Sequence, residues 1–225
     1  MAGLSVVTAE TAHAITSTEA KNWLRVDGSD DDTVIGNLII ASHNWAKRYT
    51  GRSLTTQTLK MSIDSIYDAD IPIKEGSYVG IDQDITRRSI ILPQSPVASI
   101  SNVKYYNDED TESTFASSSY YLDSASVPAK FVLRNGESYP TGLRVANALE
   151  ITYVAGYGGV NDVPQDIKHA CLIYTAWLFE HRGDGTDRNS APYQATQLLQ
   201  PYVIRQFSTH PYRGTAHYGG IVYCL

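Results

Sequence analysis

Apolar residues recur with two different rhythms along this chain, and the change of rhythm divides it. Near the start, "TSTEAKNWLRV" places Thr16 and Glu19 at capping-box spacing, with Ala20, Trp23 and Leu24 on one side of about two helical turns. In "DGSDDDTVIGNLIIASHNWAKRYTGR" the residues Val34, Leu38, Ala41, Trp45 and Tyr49 recur at helical spacing. Asp30 to Asp32 put negative charge at the start of that helix, Lys47 and Arg48 occupy its last turn, and Gly51 follows as C-cap. From Leu54 to Val154 the period falls to two, as in Leu59, Met61 and Ile63 alternating with Thr58, Lys60 and Ser62. Further strands are predicted at "RSIILP", "SISNVKYYN", "STFA", "SYYLD", "KFVLR" and "ALEITYVAG", separated by Pro, Gly, Asn and Asp. The helical period returns in "VPQDIKHACLIYTAWLFEHR". Pro164 suits its first turn, and Ile167, Ala170, Cys171, Tyr174, Trp177 and Leu178 form its apolar face. A last short helix is expected from Tyr193 to Gln200, stopped near Pro201.

The fold class that follows is α+β. Residues 1–52 and 157–207 supply the two parts of a helical bundle, and 53–156 form an inserted all-β module of short strands, the spacing of a small sandwich or barrel. Residues 208–225 are left as an extended tail. The bundle core is expected to include Trp23, Leu38, Trp45, Ile167, Tyr174 and Trp177. There is no internal repeat and no low-complexity tract.

At 225 residues with 42% hydrophobic content the chain can bury a core without covalent staples. Its two cysteines, Cys171 and Cys224, fit neither a disulfide framework nor a CxxC metal site, which points to a reducing compartment. No apolar run is long enough to span a bilayer, and "MAGLSVVTAETAHAI" lacks the basic start and continuous apolar stretch of a signal peptide, so cytosolic synthesis without membrane attachment is expected. A formal net charge of -6 argues against gripping nucleic acid through phosphate neutralisation. Sixteen Tyr against four Phe suits either sheet or partner interfaces, where a ring is buried at one end and wet at the other.

Candidate chemistry is sparse. "DGSDDDT" fails as an EF-hand loop beginning at Asp27, because Asp32 stands where Gly is needed and Leu38 where a bidentate Glu is needed. The glycines of "GYGGV" and "GDGTD" match no phosphate-binding pattern and read as turns. His169 and Cys171 lie two apart on a helix and point away from each other, so they cannot share a metal, while Asp166 and His169 can pair on its surface. His181 beside Asp184 and Asp187 resembles a base with an orienting carboxylate, but no nucleophile accompanies it. Neither catalytic residues, nor a metal site, nor a cofactor site is assigned. An all-β module rich in Tyr and Asn also suits a carbohydrate- or host-surface-binding protein, and His181 with Asp184 a cryptic hydrolase. These are the competing classes.

The segment "STHPYRGTAHYGGIVYCL", Ser208 to Leu225, carries Tyr, His and Arg among Gly, Ser and Thr but no acidic residue, the reverse of a solubilising tail. It is suited to becoming ordered on a partner. Tyr212, Tyr218 and Tyr223 are candidate anchors, Arg213 the candidate charged contact with a carboxylate, and Gly219 and Gly220 allow close backbone approach. Pro211 lies within the same set, and His210 and His217 suit hydrogen bonds to a partner as readily as metal binding.

"EAKNWLRVD", "YTGR", "ITYVAGYGGVNDVPQDIKHA" and "LLQPYV", in that order and spacing, resemble the head–tail connector proteins of tailed double-stranded DNA bacteriophages and gene transfer agents, also called adaptor or head-completion proteins. The resemblance runs from Thr16 to Val203. It implies a structural virion protein of the neck, assembled in the host bacterial cytoplasm, whose copies form a twelvefold ring beneath the portal. Its partners would be the portal protein, neighbouring copies, and a tail terminator or stopper, with double-stranded DNA passing through without specific binding. The tail residues His210, Pro211, Tyr212, Arg213, His217, Tyr218, Gly219, Gly220 and Tyr223 would then meet the portal or a neighbouring subunit.

Overall fold

The structure, a computed structural model, describes residues 2–64, 88–182 and 191–204. Within them the chain is mixed α and β, with four α-helices and two antiparallel sheets. Helix α1 (Ser17–Leu24) begins on the expected capping box. Thr16 accepts from the Glu19 backbone N–H at 3.1 Å, and the Glu19 carboxylate accepts from the Thr16 N–H at 2.7 Å. Helix α2 (Asp32–Thr50) ends at Gly51, whose left-handed φ of 69° lets its N–H reach the Lys47 carbonyl. Helices α3 (Gln165–Glu180) and α4 (Tyr193–Leu199) each start directly after a proline, Pro164 and Pro192. The helices before Gly51 pack against those after Pro164, α2 and α1 on α3, and α3 on α4. Their shared core contains Ala14, Ile15, Ala20, Ile35, Ile39, Ala46, Leu54, Val163, Ile167, Ala170, Cys171, Ala195 and Leu199.

That core differs from the expected one. Of the six residues predicted, Ile167 is fully buried, Trp23 is 44% exposed, and Leu38, Trp45, Tyr174 and Trp177 are half-buried. On α2 the buried stripe is Ile35, Ile39, Ser42, His43, Ala46 and Thr50, one residue on from the Val34–Leu38–Trp45–Tyr49 row. One residue is a rotation of about 100°. The reason is that Ser42, His43 and Thr50 are polar yet face inward with hydrogen-bonding or charged partners, so hydropathy alone points to the flank.

Every predicted strand is present: β2 (Gln57–Ile63), β3 (Ser89–Ile91), β4 (Val97–Tyr106), β5 (Glu112–Thr114), β6 (Tyr120–Asp123), β7 (Lys130–Leu133) and β8 (Leu149–Ala155). The sheet also extends beyond 53–156. Residues Ala2–Thr8, for which the pattern analysis predicts no element, form β1 and pair antiparallel with β2. The larger sheet has the order β1-β2-β8-β4-β5, and the smaller β3-β7-β6. Leu59 and Met61 of β2, Ile151 and Tyr153 of β8, Val103 of β4 and Phe131 of β7 meet between them, where each strand turns alternate residues inward. A chain of rings, Tyr105, Phe115, Tyr120, Phe131 and Tyr139, runs through this core with centroids 4.8–6.5 Å apart.

The quoted "YVAGYGG" joins sheet to helix by close backbone approach. Gly156 has φ +121°, and a Cβ there would lie 2.2 Å from the Thr55 carbonyl oxygen. Gly158 accepts the Thr56 N–H at 2.9 Å. Gly156→Ala combines a left-handed backbone with a clash against backbone, so a loss of about 3 kcal/mol is expected in urea unfolding. Gly159→Ala is the control: its φ is -78° and its Cβ would meet Asp162 at 3.6 Å, so its midpoint should stay near that of the natural chain.

Candidate functional site

The densest polar constellation among the described residues lies where β1, α2 and β2 converge. Glu10 follows β1, His43 and Lys47 sit one turn apart on the inner face of α2, and Thr55 and Gln57 lead into β2. Glu10 Oε1 lies 3.1 Å from both His43 Nε2 and Lys47 Nζ, while its Oε2 accepts from the Thr55 hydroxyl at 3.3 Å. His43 Nδ1 accepts the Ala14 N–H at 3.0 Å, which leaves the ring proton on Nε2, the nitrogen nearest the carboxylate. Lys47 donates on to Gln57 Oε1 at 3.0 Å, and the Gln57 amide donates to Ser53 at 2.6 Å and Gln94 at 2.8 Å. Burial alone would raise the Glu10 pKa, but the His43 and Lys47 interactions outweigh it and hold the group at about 2. His13, edge-on to His43 at 5.2 Å, is held below its ordinary value by burial and then by His43, with Glu10 acting against them.

This network acts as a brace: Glu10, just after β1, is held by Lys47 of α2 and by Thr55 of the segment entering β2. Sequence reasoning missed Glu10, His13 and His43. The i,i+4 spacing of His43 and Lys47 was visible, but nothing local connects them to a glutamate more than thirty positions upstream.

A second feature lies on the helical surface. Tyr49, Trp45, Tyr174, Trp177 and His181 stand in a row across α2 and α3, with successive centroids 5.8, 4.4, 5.9 and 5.0 Å apart. Trp45, Tyr174 and Trp177, expected in the core, stand instead half-buried at its rim. His181 Nδ1 lies 2.8 Å from the Trp177 carbonyl oxygen and its ring stacks on Trp177, while Asp184 and Asp187 lie outside the described residues. The expected Asp166–His169 pairing is not what these groups do. Asp166 accepts from the Tyr202 hydroxyl at 3.1 Å, and His169 meets the Trp23 ring edge-on at 5.0 Å. The acidic run is met by bases: Asp32 pairs with Lys21 at 2.6 Å and Asp31 with Arg182 at 3.5 Å.

The outer face of the larger sheet carries charges in alternation. Lys60 pairs with Glu150 at 3.2 Å, Lys104 with Glu112 at 2.6 Å, and Arg144 lies 3.7 Å over the Tyr106 ring. Among the described residues no cluster of His, Cys, Asp and Glu could hold a metal, and no helix is long and apolar enough to cross a membrane. The tail residues His210, Pro211, Tyr212, Arg213, His217, Tyr218, Gly219, Gly220 and Tyr223 lie outside the described residues.

The Glu10 pKa below the usual 4.5 has a definite sign for stability. The ionised carboxylate stabilises the fold fully above pH 4.5, and that contribution is lost as pH falls toward 2. Glu10→Gln should therefore lower unfolding free energy by about 2 kcal/mol at pH 7, with the gap to the natural chain closing on acidification. Urea titrations of both proteins at neutral and acid pH read this directly, and a gap that does not change with pH would contradict it.

Comparison with known proteins bears on what these surfaces serve. None of the curated proteins matches the chain. Among solved structures, it is similar to a subunit in the neck of an empty gene transfer agent particle computed with C6 symmetry. Identity is 19%, covering 93% of this chain and 100% of that one, with a TM-score of 0.69. It is similar also to a chain from the virion of a native gene transfer agent particle, with 20% identity, coverage of 92% and 99%, and a TM-score of 0.69. A third likeness is to a chain of the native particle's neck computed with C12 symmetry, with 20% identity, coverage of 93% and 100%, and a TM-score of 0.67. At these identities the likeness establishes a shared fold. A family model described as head completion protein matches residues 13–190, which takes in the capped α1, α2, every described strand except β1, and α3. With most of its length matched, and with the resemblance carried by its quoted segments, the chain belongs to the head completion protein family.

Proposed function

We propose that this chain is a structural head–tail connector: copies form a ring, twelvefold by analogy, beneath the portal of a tailed double-stranded DNA phage or gene transfer agent. The observation that carries this reading is the family match over residues 13–190, supported by whole-length likeness to subunits from particle necks, one of them computed with C12 symmetry. In this reading the helices form a bundle with the sheets as its inserted module, β1 being added from the N-terminal side. The ring joins the capsid vertex to the tail terminator or stopper, and DNA passes along its axis. The net charge of -6 suits that passage, because repulsion from phosphates keeps contacts transient. No turnover is involved. His181, the one candidate base, is engaged with Trp177 rather than with a nucleophile.

The tail, 208–225, is assigned to docking on the portal or on a neighbouring subunit. Tyr212, Tyr218 and Tyr223 are its anchors, Arg213 meets a carboxylate, and Gly219 and Gly220 allow close approach. His210, Pro211 and His217 complete the contact set. Deleting 208–225 should leave the thermal midpoint within a few degrees of the full chain but remove co-sedimentation with portal, and complemented particles should leak DNA or lack tails. If the shortened chain instead co-sediments as well as the full one, the tail is not the docking element.

A further inference from the structure

Strand β1 is the outermost strand of the larger sheet, and its free edge has no strand partner among the described residues. Its seven residues, Ala2–Thr8, include no charged side chain and no proline. Leu4 and Val6 stand in register with Met61 and Leu59, so they belong to the apolar face that the sheets share. Yet Leu59 is 0% and Met61 9% exposed, whereas Leu4 is 42%, Val6 56% and the neighbouring Val7 55% exposed. Leu4 and Val6 take no part in the buried cluster that the two sheets share. Natural proteins blunt such edges with lysine, proline or bulges, because unpaired N–H and C=O groups beside apolar side chains recruit another strand. Along β1 itself, among the described residues, the register shift between Val6 and Thr8 is the one such device.

We propose that this edge receives the C-terminal segment Gly220–Leu225 of a second copy of the chain, which adds to the sheet as a further strand. The segment fits chemically. Ile221, Val222 and Tyr223 are strand-forming, Gly219 and Gly220 precede them, and no charged side chain follows Arg213. It also fits by reach. The described chain stops at Ile204, whose N–H donates to the Thr50 carbonyl at 2.9 Å, close to where the chain turns into β2 beside β1. The sixteen residues 205–220 can then span up to roughly 50 Å. Assignment to a second copy rests on the ring reading: each copy offers one β1 edge and one tail, so head-to-tail pairing around a closed ring fills every β1 edge once.

The native Cys224 supplies the test. Cys171 is fully buried and its thiol is pushed up to about 12 by burial, so it does not compete. Full-length Leu4→Cys, Val6→Cys and Val7→Cys variants, each substituted at an exposed side chain, would be assembled with portal and oxidised mildly. At least one should give disulfide-linked multimers in a non-reducing gel, with peptide mapping that joins its new cysteine to Cys224. Val6→Lys, at an exposed side chain, should leave the thermal midpoint near that of the natural chain and weaken self-association at least tenfold. Rings that form on portal without any such link, or a link closed within one copy, would overturn the strand assignment while leaving the connector reading standing. A failure of copies to assemble on portal at all would overturn both.

Discussion

A half-buried carboxylate ties the helices of this molecule to its larger sheet. Glu10 lies just after the strand that edges the sheet, yet its partners are His43 and Lys47 of the longest helix and Thr55 of the segment entering β2. Burial of an ionised group is costly unless it is paired, and here the pairing spans helix and sheet, so the cost is met only when the two are in register. Gly156 and Gly158 make the same junction from the other side, through backbone contacts with Thr55 and Thr56. The hydrophobic clusters of helices and sheets are separate, and these polar and backbone contacts at their boundary set how one is placed on the other.

This arrangement explains what the sequence revealed and what it concealed. The helix ends were legible because capping is local: Thr16 with Glu19, and Gly51 after Lys47 and Arg48, act within a few residues. The strands of 57–155 were legible because alternate residues face one core. The inner face of α2 was not, because Ser42, His43 and Thr50 are buried there as hydrogen-bonding groups, which displaced the apparent stripe onto Trp45 and Tyr49. Strand β1 was missed because it contains Gly3, its alternation breaks at Val6 and Val7, and its partners lie fifty or more residues away in β2. The tail contact set could be stated from composition alone, since residues 208–225 lie outside the described structure.

The surfaces divide by chemistry. The outer face of the larger sheet is laced with Lys60, Glu150, Lys104, Glu112 and Arg144, charges that favour contact with water. The helical flank carries a row of half-buried aromatic rings, and the β1 edge carries Leu4, Val6 and Val7 without any charge. An assembly that uses the second and third of these and leaves the first wet is consistent with a subunit built for lateral contacts in a closed ring.

The most direct measurement of that account is electron microscopy of the purified full-length protein mixed with portal. It predicts a closed, symmetric layer of copies below the portal, surrounding an axis left open for DNA. Single copies scattered without symmetry, or density that blocks the axis, would contradict it.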